Sequence, residues 1–175
     1  MSRMNILDMT SGNRSMWFER DRADVVFVDI RREVHPSVIA DSKALPFKRE
    51  CFDIVVFDPP HTNMGRNSDM SKTYGYMTGS QITNLVAQGS TEAARVARPG
   101  AVMGFKWSDR DRGLESTMEF LDRRWEPLFG QRLPAGRRRK VSNKITNTHW
   151  VLFRVATQRG RGTRKGCVGS VIGRA

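Results

Sequence analysis

Four short apolar runs in the first sixty residues, each ending at or beside an aspartate, constrain the fold of this chain most strongly. Each run is rich in Val, Ile or Phe and is too short to form a helix. Continuous apolar runs without alternation are typical of a parallel sheet that is covered on both faces. The sequence therefore predicts an α/β fold with a mostly parallel sheet. The four runs are Met4–Leu7, Val25–Ile30, Val38–Ala40 and Ile54–Phe57.

The acidic residues at the ends of these runs are Asp8, Asp29, Asp41 and Asp58. The carboxyl ends of parallel strands meet at one edge of a sheet, and ligands of open α/β sheets bind beyond that edge. We therefore expect the four carboxylates to lie along one edge and to mark the functional site.

The rest of the chain predicts a second group of elements. A helix is expected from an N-cap at Ser80 to Val96, with Gly89 weakening its middle and Pro99-Gly100 ending it. The other expected elements are a loop over 62–79, a second helix over about 112–124, and strands at Ala101–Trp107, Trp125–Phe129 and His149–Val155.

The charge of the chain is concentrated in two segments. There are 30 Lys and Arg against 18 Asp and Glu, for a formal net charge of +12. Residues 132–144 and 156–175 contain eleven of the basic residues and no acidic residue. A near-neutral body with two cationic segments favours a polyanionic partner, most commonly nucleic acid. The alternative is a solvated loop and a solubilising tail. We expect residues 1–155 to form one domain and 156–175 a disordered basic tail.

Composition excludes several other classes. Hydrophobic residues make up 38% of the chain, which is enough for a core. No apolar run approaches the roughly eighteen residues of a transmembrane helix, and the N-terminus lacks a secretory signal, so we expect a cytoplasmic protein without a membrane partner. Cys51, Cys167, His35 and His149 show no metal-ligand spacing, which predicts no metal site.

The first strand runs into a tight turn that contains Asp8 and Gly12. Gly12 would let a ligand approach the backbone closely, and Asp8 could orient the turn or meet an ammonium group. Asp29, at the end of the next strand, is placed to accept hydrogen bonds from the two hydroxyls of a ribose. Arg14 and Met16 stand where a dinucleotide fingerprint would have further glycines. The pattern therefore favours S-adenosylmethionine over NAD.

The segment that follows the third strand begins at Asp41. Its carboxylate could accept from the exocyclic amine of the cofactor's adenine, with Leu45 or Phe47 against the ring. The alternative is a helix-capping aspartate above a core-anchoring Leu-Pro-Phe.

Asp58-Pro59-Pro60-His61 is the sharpest motif of the sequence. An aspartate followed by two prolines fixes an extended backbone without amide donors at positions 59 and 60. The Asp58 carboxylate and the Pro59 carbonyl are acceptors, which suits holding an amino group with its nitrogen aimed at a methyl donor. The alternative is a turn that ends the strand.

In this order the motifs resemble those of class I S-adenosylmethionine-dependent methyltransferases, and within them the amino-methyltransferases of nucleic acids. L-D-M-T-S-G resembles their first motif, V-D-I their acidic second-strand motif, A-D-S-K-A-L-P-F their third, and F-D-P-P-H their (D/N/S)PP(Y/F/W) motif. A-R-P-G-A-V-M-G-F-K-W resembles a later segment of the class. The resemblance covers residues 4–155 and implies a Rossmann-like fold with a seven-stranded, mostly parallel sheet and helices on both faces. The chain is also similar to small methyltransferase-like proteins of phages and mobile elements.

The resemblance implies roles for the cofactor residues. It places Asp8 and Gly12 at the methionine end of S-adenosylmethionine, Asp29 on the ribose, and Asp41 near the adenine. No metal is implied.

The resemblance also implies that Asp58 and Pro59 hold the target amine. His61 then stands where the family has an aromatic residue that stacks on the flipped base. The implied activity is methylation of DNA adenine N6 first and cytosine N4 second. Low sequence specificity is expected because nothing in the chain is large enough to be a recognition domain, although a partner protein could supply specificity. The chain could also form a homodimer. RNA (base amine or ribose 2′-O), a protein glutamine, and non-catalytic nucleic-acid binding remain as alternatives.

Further residues are candidates for substrate binding. Lys106 could meet a phosphate, pair with Asp58, or extend to solvent from an edge position. Tyr74 and Tyr76 could clamp a flipped nucleotide or anchor their loop. A basic run is expected to contact phosphates without reading sequence; it consists of Arg137, Arg138, Arg139 and Lys140.

Overall fold

Parallel strands joined by turns and irregular connections form the first part of the structure. The computed structural model describes residues 4–61, 77–133 and 147–156. Its strands are β1 (Ile6–Asp8), β2 (Val25–Asp29), β3 (Val38–Ile39), β4 (Phe52–Phe57), β5 (Ala97–Ser108), β6 (Trp125–Leu133) and β7 (Thr148–Val155). The helices within the described residues are α1 (Gly79–Val96) and α2 (Leu114–Met118), and a short 3-10 turn covers Arg32–Val34.

The described strands form one seven-stranded sheet in the order β3-β2-β1-β4-β5-β7-β6. The first five strands in this order pair in parallel, whereas β7 is antiparallel to both β5 and β6. The predicted α/β fold with a mostly parallel seven-stranded sheet and helices is confirmed.

The two faces of the sheet are covered differently. The larger core lies on the face under α1, where Val55, Phe57 and Phe105 are fully buried. Over β1 and β2 the opposite face carries a smaller apolar cluster, and the Trp17 indole packs against it edge-on to Phe27, with ring centroids 5.5 Å apart. Turns and bends, rather than a helix, connect β1 to β2 and bring Trp17 to this face.

The bounds of α1 differ from those predicted. Its N-cap is Thr78 rather than Ser80, because Thr78 and Gln81 form a reciprocal capping box. The helix ends at Val96, so Pro99-Gly100 does not end it. That dipeptide instead lies in β5 at an irregularity in the pairing with β4, where Gly100 has a φ of +82°.

The second helix is shorter than predicted, and the sixth strand is longer. Only Leu114–Met118 is helical within the predicted span of 112–124, and turns follow it as far as Arg124. β6 continues to Leu133 because its pairing with β7 resumes after a bulge between Pro127 and Phe129.

Gly89 lets α1 approach the sheet closely. A Cβ atom at this position would lie 2.7 Å from Cζ of Phe57, a side chain with no exposed surface. A methyl group there would force apart two packed elements, and overpacking of this kind costs about 1–3 kcal/mol. Gly89 therefore serves packing, although it weakens the helix intrinsically.

We expect Gly89→Ala to lower the free energy of unfolding by about 1–2 kcal/mol, because the clash outweighs the gain in helix propensity. Gly79→Ala is the matched control in the same helix, since a Cβ at position 79 meets nothing within 4 Å. It should leave stability unchanged or raise it by up to about 1 kcal/mol. Urea unfolding of both variants measures this, and equal stabilities for the two would contradict close packing at Gly89.

Candidate active site

Aspartates that end neighbouring strands lie at one edge of the sheet. β3, β2, β1 and β4 are neighbours and all run parallel, so their carboxyl ends point the same way. Asp8 is close enough to Asp29 and Asp58 for both carboxylates to raise its pKa. The expected gathering at one edge is therefore present for Asp8, Asp29 and Asp58, whereas Asp41 lies two residues beyond the end of β3 and its place in the group stays a prediction.

Asp8 is fully buried and holds the segment that follows β1. Its Oδ2 accepts from the Trp17 indole at 2.8 Å, and its Oδ1 accepts from the Thr10 amide at 3.2 Å. Burial raises the pKa of Asp8 to about 6. Asp8 thus orients the turn, which is one of the two roles foreseen for it, and its place at the methionine end of a cofactor stays a prediction.

The turn over residues 10–12 joins three strand ends. The Thr10 hydroxyl accepts from the Asp58 amide at 2.8 Å, and the Ser11 amide donates to the Val28 carbonyl at 2.9 Å. Gly12 has a φ of +48°, in the left-handed region that favours glycine. The Ser11 hydroxyl is buried and has no hydrogen-bond partner among the described residues. An unsatisfied buried hydroxyl beside an open glycine turn is a position where a polar ligand group fits.

Asp29 is surrounded by donors. Oδ1 accepts from the Arg31 amide at 2.9 Å and from Arg31 Nε at 3.0 Å. Oδ2 accepts from the Gly12 amide at 2.9 Å and from an Arg31 terminal nitrogen at 3.1 Å. Burial opposes ionisation, but these hydrogen bonds hold the pKa of Asp29 below its ordinary value. A carboxylate has about four acceptor positions, so a ribose hydroxyl would have to displace one of these donors.

Sequence reasoning missed Arg31, although its position gave a signal. An arginine two residues after a strand-end aspartate can fold back onto it. Here Arg31 makes an ion pair with Asp29 and donates three of the four hydrogen bonds that the carboxylate accepts from described residues.

The segment after β3 is fastened to α1 and to the core. The Leu45 amide donates to Glu92, and Arg95 donates to the carbonyls of Leu45 and Phe47. Leu45 is 5% exposed, so little of its side chain is left to contact a ligand. This matches the core-anchoring alternative, and contact of Leu45 with adenine stays a prediction.

Asp41 does not cap a helix, in contrast to the alternative considered for it. It instead closes a turn, in which its carboxylate accepts from the Lys43 amide and its carbonyl accepts from the Ala44 amide. Lys43 Nζ also lies 3.1 Å from its carboxylate. Its role near an adenine stays a prediction.

The two oxygens of Asp58 differ sharply. Oδ2 accepts from Lys106 Nζ at 2.7 Å, so Lys106 pairs with Asp58, as one of its three expected roles required. Oδ1 is buried and has no hydrogen-bond partner among the described residues, although His61 Nδ1 lies 3.7 Å away. An ionised carboxylate oxygen left unsatisfied in a buried position is costly. This oxygen is therefore the strongest local indication of a ligand position.

His61 turns back onto the motif that contains it. Its Nδ1 lies 3.0 Å from the Pro59 carbonyl, which can only accept, so Nδ1 carries the proton. Burial lowers the pKa of His61 despite the opposing effect of Asp58, which favours the neutral ring with Nε2 as an acceptor. The Pro59 carbonyl, expected to hold a substrate amine, thus already accepts one hydrogen bond. Stacking of His61 on a base stays a prediction.

A pocket of about 270 Å³ adjoins this site. His61 and Trp107, with ring centroids 5.9 Å apart, lie on one side of it. Arg112 and Phe120, from the connection after β5 and the turn after α2, also line it. Sequence reasoning missed Trp107, Arg112 and Phe120 as pocket residues, because their convergence depends on how β5 and α2 pack together.

The remaining predicted substrate residues lie outside the described part of the chain. They are Tyr74, Tyr76, Arg137, Arg138, Arg139 and Lys140, and their roles stay predictions. Within residues 4–61, 77–133 and 147–156, no group of three or more His, Cys, Asp or Glu side chains could hold a metal ion. No helix in those same ranges has the length and apolar character needed to cross a membrane.

No family model matches the chain, and no curated protein matches it. Its similarity to known proteins is structural. A SAM-dependent methyltransferase from Methanosarcina mazei aligns with a TM-score of 0.58 and 14% identity, over 90% of this chain and 95% of that one. The N-methyltransferase NodS from Bradyrhizobium japonicum WM9, in complex with S-adenosyl-L-homocysteine, aligns with a TM-score of 0.55 and 14% identity, over 87% and 78%.

A 16S rRNA (adenine(1408)-N(1))-methyltransferase from Catenulisporales acidiphilia aligns with a TM-score of 0.56 and 12% identity, over 91% of this chain and 88% of that one. At such low identities the similarity establishes the fold alone. The fold is that of the Rossmann-like methyltransferases, as the sequence motifs implied.

The raised pKa of Asp8 predicts a pH-dependent cost to stability. The folded-state pKa of about 6 exceeds the ordinary value of 3.8, so the folded protein holds this proton more tightly than the unfolded chain does. The free energy of unfolding therefore falls as pH rises from about 3.8 to about 6. Above about pH 6 the loss is complete and approaches about 3 kcal/mol.

Asp8→Asn keeps an acceptor for Trp17 but cannot ionise. Urea unfolding of both proteins between about pH 4 and pH 7 should show the stability of the variant, relative to the natural chain, rising by up to about 3 kcal/mol. A difference that is flat across this range would contradict the burial of an ionisable Asp8.

Proposed function

We propose that this chain transfers a methyl group from S-adenosylmethionine to an exocyclic amine of a nucleobase, with adenine N6 of DNA as the first choice and cytosine N4 as the second. The observation that carries the proposal is the buried Oδ1 of Asp58, which lacks a hydrogen-bond partner among the described residues. It lies at the end of β4, between the turn that contains Gly12 and the pocket beside His61. An amine hydrogen would satisfy this oxygen.

In this proposal, the turn over residues 10–12 and Asp29 hold the cofactor, an adenosine that bears a charged sulfonium and would supply the methyl group. The Ser11 hydroxyl lacks a partner within the described ranges and would bind a polar group of the cofactor. Asp29 would hold the ribose once Arg31 yields an acceptor position. The fold shared with methyltransferases of known structure supports this assignment.

In this proposal, Asp58 positions the substrate. Its Oδ1 accepts a hydrogen of the amine and orients the nitrogen, while the ion pair with Lys106 keeps the carboxylate from turning. The bond from the Asp58 amide to the Thr10 hydroxyl fixes the motif against the cofactor turn. The C–N bond would form as the bond between the methyl carbon and the cofactor sulfur breaks, which would leave a neutral thioether and a cationic amine that must lose a proton. Neutral His61, with Nε2 as acceptor, lies beside it to receive that proton.

The partner that we propose is nucleic acid, on the strength of the net charge of +12 and its concentration in two segments. RNA is the second candidate. The ion pair between Lys106 and Asp58 favours it, because a lysine beside a strand-end aspartate could also activate a ribose hydroxyl. The substrate class is thus the question that an assay of methyl transfer must answer.

Labelled S-adenosylmethionine, incubated with duplex DNA, single-stranded DNA, RNA and protein extract and followed by nucleoside analysis, tests the proposal. We expect label in a base amine. Asp58→Ala should lower the rate at least about 100-fold, because it removes the acceptor that aligns the amine.

Asp53→Ala is the matched control, since Asp53 lies on the same strand but pairs with Arg98 at the opposite end. It should leave the rate within a few-fold of that of the natural chain. Equal incorporation by Asp58→Ala and the natural chain would exclude this active site. Label confined to protein would exclude the nucleobase substrate.

Replacing Arg31 should strengthen cofactor binding. Because its side chain fills two acceptor positions of Asp29, Arg31→Gln should free them for a ribose. S-adenosylhomocysteine should then bind about 3- to 10-fold more tightly, in line with about 1 kcal/mol for the one hydrogen bond that the ribose no longer has to displace. Isothermal titration measures the dissociation constant.

Arg22→Gln is the control for this prediction, since Arg22 forms a comparable ion pair with Asp24 two residues away. It should leave the dissociation constant unchanged. Weaker binding to Arg31→Gln would show instead that Arg31 itself contacts the cofactor.

A further inference from the structure

The pocket beside His61 is lined by apolar side chains and by polar ones, the polar ones including Thr83, Asp111, Arg112 and Thr117. The first part of α1 contributes the apolar side chains of Ile82 and Val86, both buried. Phe120 lines it as well, and this ring is 38% exposed although it is large and apolar. A volume of about 270 Å³ lies just below the usual range for small-molecule sites, so it suits one compact ring system rather than a dinucleotide.

Arg112 and Phe120 form a planar, cationic wall. The Arg112 guanidinium carbon lies 5.0 Å from the centre of the Phe120 ring. The backbone of Arg112 is fixed at the end of β5, because its carbonyl accepts from the Trp107 indole at 2.8 Å. The Trp107 bond therefore fixes the backbone of Arg112, and its guanidinium lies against Phe120, where it supplies donors next to the apolar and aromatic part of the lining.

These walls match one class of ligand. A nucleobase has flat π faces, which stack on aromatic rings and on guanidinium planes, and ring-edge acceptors, to which arginine donates. An aliphatic ligand would leave the Arg112 donors without acceptors, and an anion alone would leave the apolar walls exposed. His61 lines this pocket, and its Nδ1 lies 3.7 Å from the unsatisfied Oδ1 of Asp58, so one side chain neighbours both the pocket and the carboxylate.

We propose that this pocket holds the ring of the target nucleobase, with Phe120 as its stacking partner and Arg112 as the donor to its edge. This inference rests on the proposed function, since it identifies what positions the base whose amine meets Asp58. Phe120 and Arg112 contact the substrate without taking part in the chemical step, so they determine substrate specificity.

A single-stranded oligonucleotide containing one 2-aminopurine tests the pocket without requiring methyl transfer. The full chain, saturated with S-adenosylhomocysteine, should bind it and quench the fluorescence of the 2-aminopurine by stacking. Phe120→Ala and Arg112→Gln should each raise the dissociation constant by about 5- to 100-fold and reduce the quenching. Phe120→Tyr, which retains a ring, should restore both.

Matched controls are available outside the pocket. Phe18→Ala removes a fully exposed ring outside the pocket, and Arg154→Gln removes an exposed guanidinium paired with Glu126. Both should leave binding and quenching unchanged. Thermal melting and titration with S-adenosylhomocysteine, applied to every variant, establish that each one is folded.

The outcomes separate the two proposals. Unchanged affinity and quenching in Phe120→Ala and Arg112→Gln, or an absence of binding by the natural chain, would overturn the pocket assignment. Binding that depends on Phe120 together with no methyl transfer to any nucleic acid would support the pocket and overturn the proposed reaction. Methyl transfer that is unaffected by Phe120→Ala, with KM unchanged, would overturn the pocket and leave the reaction standing.

Discussion

Three carboxylates at one sheet edge have to be accommodated without repelling one another, and much of the local structure follows from this requirement. Asp8 is buried with a raised pKa and accepts from Trp17. Asp29 is held ionised by the guanidinium of Arg31. Asp58 is paired with Lys106 through one oxygen only. Each aspartate therefore has a different partner, and the three carboxylates differ in their tendency to ionise and in the acceptor positions that they leave open.

Asp58 connects the two halves of the candidate site. Its amide donates to the turn after β1, its Oδ2 accepts from Lys106 on β5, and its Oδ1 has no partner within the described residues. His61, whose Nδ1 lies 3.7 Å from this Oδ1, also lines the pocket that contains Phe120. The proposed site therefore consists of the turn that binds the cofactor, Asp58 as the acceptor, and the pocket for the base. Hydrogen bonds to Thr10 and Lys106 hold Asp58 in place.

The sheet could be predicted from the sequence because a strand that is buried on both faces needs a continuous apolar run, and such a run is a local pattern. The sequence predicted the position of Asp58 for the same reason. It could not predict the roles of Trp17 and Phe120, because these depend on contacts between residues that are distant in sequence. Arg31 was missed although it lies two residues from Asp29, because its role depends on the conformation of its side chain. Gly89 shows the same limit, since its local propensity argued against a helix while its packing against Phe57 requires a small residue.

A crystal structure of the full chain with S-adenosylhomocysteine would test the arrangement most directly. The account predicts ribose hydroxyls within hydrogen-bond distance of Asp29, the Arg31 side chain withdrawn from one of its bonds to that carboxylate, and the ligand sulfur on the Gly12 side of Asp58. A ligand bound away from the carboxyl ends of β1, β2 and β4 would contradict it. So would a ligand that leaves all four hydrogen bonds to Asp29 in place.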